Sequence, residues 1–130
     1  MNMMSDARKA MKLETNVGDF VWSPHITTAN ITGANFHQDA LKRAFKKHGQ
    51  QPFVIAMTRE PNNKYDKRAI AYVSDYGVIG HVPKEDLDYW HGLLEKAGDE
   101  RTCFVGLANV HSDDGVIPTI YAAVNMHSPK

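Results

Sequence analysis

The residues whose types and spacing could do chemistry are concentrated in positions 60–70, which read EPNNKYDKRAI. Pro61, Asn62 and Asn63 form a turn that places the following side chains at the rim of a sheet. Tyr65 then stands among Lys64, Asp66, Lys67 and Arg68. A ring beside cations is what a single-stranded nucleic acid needs, a face for a base with charge for the phosphate. Such stacking is typically worth about 1–3 kcal/mol per base and tolerates any sequence. The same residues also allow a plainer arrangement. Tyr65 can pack its ring on the sheet with its hydroxyl on a backbone carbonyl, and Asp66 can cap the turn.

Bond-making chemistry finds no comparable cluster. None of the seven histidines forms a His-x-x-x-His pair with a nearby carboxylate, and Cys103 has no second thiol. His48 and His91 fall on the apolar faces of helical segments and read as interior residues. There is no phosphate-cradling glycine loop and no nucleophile elbow. Asp86 and Asp88 start a helix, and Asp113 and Asp114 sit in a hairpin, so neither pair reads as a nuclease metal site. The expectation is a binding protein without catalysis, metal or cofactor.

Composition sets the frame for those residues. The chain has 130 residues, 15 cations against 15 anions and a single cysteine. An anionic partner must therefore be met by a local patch, and an internal disulfide is excluded. No apolar run approaches a membrane span, and MNMMSDARKAMK lacks the apolar core of a secretory signal, so the expected setting is cytoplasmic.

Seven short runs of β-forming residues must carry the site: VGDFVW (17–22), ITTANIT (26–32), PFVIAMT (52–58), AIAYVS (69–74), GVIGHV (77–82), CFVGLANV (103–110) and VIPTIYAAV (116–124). Asp75-Tyr76-Gly77 and Ser112-Asp113-Asp114-Gly115 read as tight hairpins. Two segments carry helical period. HQDALKRAFKKHG puts Leu41, Ala44, Phe45 and His48 on one face, with Lys42, Arg43, Lys46 and Lys47 opposite, which reads as a solvated basic face. PKEDLDYWHGLLEKAG puts Leu87, Trp90, His91 and Leu94 together. These elements predict a mainly β, α+β fold with two helices: a small, strongly bent β-barrel or sandwich of about six strands. Residues 1–14 read as a flexible, frayed or loosely helical tail, ahead of one domain over 15–127.

The succession ITGANF, a helix, PFVIAMTREPNNKYDKRAIAYV, then GVIGHVPKEDL resembles the HIRAN domain, over roughly residues 26–124. That module occurs at the N-terminus of DNA remodellers and as a free-standing small protein in bacteria and phages. The resemblance implies an OB-type barrel that binds single-stranded DNA and holds its 3′-hydroxyl end in a pocket. It implies that Tyr65 stacks on the terminal base, that Asp66 accepts a hydrogen bond from the 3′-hydroxyl, and that Lys84 approaches the phosphate backbone. His81 occupies a position that is often histidine. Where DNA-end binders carry an arginine followed by two aromatic residues, this chain has Asn35, Phe36 and His37, so that guanidinium is missing. Lys64 replaces a common proline.

The expected partner is single-stranded DNA or a DNA 3′ end, with Tyr65 and Phe36 as platforms and Lys64, Lys67, Arg68 and Lys84 on phosphates. Phe36 near the helix entrance can equally be core. The alternative is a protein-interaction module without DNA binding, using an apolar patch near Tyr72, Tyr76 and Tyr89.

Overall fold

The computed structural model describes residues 2–112 and 120–129. The chain order is α1 (Met3–Leu13), β1 (Phe20–Val21), β2 (Ile26–Ala29), α2 (Gln38–His48), β3 (Phe53–Arg59), β4 (Ile70–Ser74), β5 (Gly77–His81), α3 (Leu87–Ala97), β6 (Cys103–Ser112) and β7 (Ile120–His127). Single 3₁₀ turns, Ala34–Phe36 and Lys84–Asp86, lead into α2 and α3. The fold is mixed α+β, as the residue patterns predict, with three helices among the described residues rather than two. The strands form one seven-stranded sheet ordered β2-β7-β6-β3-β4-β5, antiparallel throughout, to which β1 adds in parallel beside the start of β6.

This sheet is not a closed barrel, which corrects the expectation in one respect. Its ladder has two ends, and they meet at a single point. Just past β2, Thr32 bridges His81 at the end of β5, each donating its N–H to the other's carbonyl at 2.8 and 2.9 Å. Gly80 makes this approach feasible, since a Cβ there would stand 2.6 Å from the Ile31 side chain and 2.9 Å from the Thr32 carbonyl oxygen. Gly80→Ala is therefore expected to cost about 1–3 kcal/mol by overpacking. The check is urea unfolding together with amide exchange. The Thr32 and His81 amides should lose protection before those of β3 and β6.

β3 and β6 are buried on both faces, and their alternating residues serve two cores. Phe53, Ile55, Met57 and Phe104 join Leu41 and Ala44 of α2 and Leu87, Trp90 and Leu94 of α3. Ala56, Cys103 and Val105 join Phe20 and the α1 residues Met4, Ala7 and Ala10. Residues 2–14 are thus no flexible tail. From Met3 to Leu13 they form a helix whose apolar side covers the outer face of the sheet. Asn2 caps its start, its side-chain oxygen accepting the Met4 N–H at 2.9 Å, and Glu14 ends it in the left-handed region at φ 52°.

The β4–β5 hairpin forms at Asp75 and Tyr76, with Ser74 paired to Gly77, whose φ of 109° suits only glycine. The Ser74 hydroxyl donates to the Gly77 carbonyl and accepts the Tyr76 N–H. The second hairpin, near residues 112–115, and the start of the 116–124 run lie largely outside the described residues.

Candidate functional site

The 60–70 loop is held by the side chains of Asn63 and Glu60. The Asn63 side-chain oxygen accepts the N–H groups of Tyr65 at 2.8 Å and Asp66 at 3.0 Å. Its amide donates to Glu60 Oε1 at 3.1 Å. Glu60 and Ala69 close the loop at its base through the Glu60 N–H and the Ala69 carbonyl. The loop is thus wound tightly around Asn63, and its ring is turned outward.

Tyr65 is 86% exposed and Phe36 81% exposed, the two most open large apolar side chains described. The packed alternatives for both rings are therefore not adopted. Both line one groove of about 420 Å³, whose floor is apolar: Ala69, Val82 and Leu87. Thr32, Asn63, Asp66, His81 and Lys84 complete it. The edge-to-edge bridge at Thr32 and His81 lies in this lining, so the point that draws the sheet together also brings the Phe36 turn beside the 60–70 loop.

Asp66 both caps and lines. One carboxylate oxygen accepts the Arg68 N–H at 2.8 Å, and the same side chain borders the groove. His81 Nε2 lies 2.7 Å from Glu60 Oε1, and its ring stands 5.7 Å from that of His37. Lys64 folds back over the Tyr65 ring, Nζ 5.0 Å from its centroid. Lys67 is exposed and does not line the groove. Arg68 turns toward α3, where it pairs with Asp88 at 2.8 Å while its carbonyl oxygen lies 2.8 Å from His91 Nε2. Of the four cations singled out in sequence, only Lys84 lines the groove.

Asn35 and His37 line a second groove, of about 400 Å³, that shares Phe36 with the first. It continues along Gln38, Asp39, Ala40 and Arg43 to Tyr76, Gly77 and Val78. One residue of the basic α2 face, Arg43, thus reaches a concave surface. Sequence reasoning gives Asn63 only as a turn former and misses Glu60, Thr32 and the apolar floor. Only the Asx-turn chemistry of Asn63 carried a local signal.

Burial lowers the pKa of His37 from 6.5; nearby His81 adds to this, and Glu60 opposes it. With the folded value depressed, the unfolded chain takes up this proton first as pH falls. The associated stability is present above 6.5 and is lost as pH drops toward the folded value. Relative to His37→Gln, the wild type should therefore lose melting temperature on acidification below 6.5. Parallel profiles for the two proteins would contradict it.

The tyrosine patch imagined for a protein partner does not exist as such. Tyr72 is fully buried and its hydroxyl donates to the Asn30 carbonyl at 2.8 Å. Tyr76 is half-buried with its hydroxyl 2.7 Å from His48 Nε2, which leaves Tyr89 as the exposed member. Among the described residues no three or more His, Cys, Asp or Glu side chains gather as a metal site, and no helix is long and apolar enough to cross a membrane. Comparison of the chain with known protein-family models, curated proteins and solved structures finds no match.

Proposed function

We propose that this chain is a free-standing HIRAN-like module, a curled OB-like sheet that binds single-stranded DNA or a DNA 3′ end without catalysis, in a cytoplasmic setting. The observation that carries the reading is the pair of exposed rings, Phe36 and Tyr65, on one apolar groove with Asp66 and Lys84 in its lining. A base stacks on Tyr65 and a second on Phe36. Asp66 keeps acceptor capacity beyond its bond to the Arg68 N–H and takes a hydrogen bond from a sugar hydroxyl. Lys84 meets the phosphate.

Fluorescence anisotropy with labelled strands bearing a free 3′-hydroxyl or a 3′-phosphate, with duplex and with RNA, tests this at two salt concentrations. The free 3′-hydroxyl strand is expected to bind best. With Lys84 and one or two loop cations engaged, log K should fall with log salt at a slope of about −1.4 to −2. Equal binding of all single strands would remove the role of Asp66 and keep the stacking groove.

The apolar floor and the zero net charge favour a second reading, a protein-interaction module whose partner places an apolar side chain between the rings. Absence of binding to every oligonucleotide would select it.

A further inference from the structure

The second groove has no part in that binding, although the two grooves share a ridge. Phe36 lines both, so a chain seated on the first has a continuous route over that ring into the second. There it meets Asn35, His37, Asp39, Arg43 and Tyr76. Arg43 is fixed at this place by the hydrogen bond from its Nη2 to the Tyr76 carbonyl, 2.7 Å, on the β4–β5 hairpin. That bond occupies one of five N–H donors, and among the described residues Arg43 makes no ion pair with a carboxylate. An anchored guanidinium with donors to spare in an open polar groove is suited to a phosphate. Asp39 lines the same groove and repels an anion, so the phosphate belongs at the end formed by Arg43 and the hairpin.

We propose that this second groove is a further nucleotide subsite, in which Arg43 contacts a phosphate of the strand after the strand has crossed Phe36. The proposal rests on the single-strand reading of the first groove and extends it. The footprint is then longer than the nucleotides seated between the rings, and affinity depends on strand length.

The experiment is anisotropy with oligothymidines of graded length, from a dinucleotide upward, on the wild type, Arg43→Gln and Lys47→Gln. Lys47 is an exposed cation of the same helix that lines neither groove, and it controls for general charge. Wild-type affinity should rise with length. Arg43→Gln should remove about tenfold of that gain, the size of one lost charged hydrogen bond. Its salt slope on long strands should shrink by about 0.7, one phosphate contact. It should bind the dinucleotide as the wild type does, and Lys47→Gln should keep the length dependence. A wild type that binds but gains nothing with length, or an Arg43→Gln variant equal to wild type on long strands, overturns this subsite and leaves the first groove standing. A wild type that binds no oligonucleotide overturns both.

Discussion

A Phe36→Ala, Tyr65→Ala double variant is expected to lose about 2–6 kcal/mol of binding free energy for single strands, at about 1–3 kcal/mol for each stacked base. At the low end, affinity falls about 30-fold. The fold should not notice, because the rings are 81% and 86% exposed and neither belongs to the two cores. The melting temperature should therefore match the wild type. Each single variant is measured as well, since residues lining one groove can couple and their effects need not add. Unchanged affinity with an unchanged melting temperature would place binding elsewhere and remove the groove as the nucleic-acid surface. A large fall in melting temperature would show that the rings serve the fold.

How much of this site is legible in the sequence follows from which forces act locally. Residues 60–70 announce a turn because proline and asparagine impose one within a few residues, and Tyr65 stands out as a ring among charges. The outward turn of that ring is set by Asn63, whose side chain fixes the Tyr65 and Asp66 amides. The bridge from Thr32 to His81 is a long-range pairing, and nothing in either local sequence reports it. The same limit explains the cations. Lys64, Lys67, Arg68 and Lys84 are equivalent as a list of charges. In the fold one lies over the Tyr65 ring, one is exposed away from the groove, one is paired with Asp88 and one lines the groove.

The strands were readable because β-forming runs are bounded by turn residues, and α2 and α3 because their apolar faces repeat at helical spacing. The first helix escaped for a specific reason. Its buried face is Met4, Ala7 and Ala10, two of them too small to register as an apolar stripe. The signal lay in the strands it covers. PFVIAM and CFV are apolar at consecutive positions, the mark of a strand buried on both faces. With α2 and α3 filling one face, a further element had to cover the other, and residues 1–14 were the segment left to do it.

That covering role sets the last expectation. A chain beginning at Thr15 loses the helix, and Phe20, Ala56, Cys103 and Val105, all buried beneath it, are uncovered. Removing the Met4 side chain alone from such a site typically costs about 2–5 kcal/mol, and the truncation removes Ala7 and Ala10 with it. The expected loss is above about 4 kcal/mol, a large share of the roughly 5–15 kcal/mol that holds a domain of this kind. Urea unfolding should show a much lower midpoint, or no folded baseline, and the exposed apolar face should bind a hydrophobic dye. The residues of the ring groove all lie beyond position 15, so any fraction that stays folded should keep its affinity for single strands. A truncated chain as stable as the full one would mean that α1 rests on the sheet without supporting it.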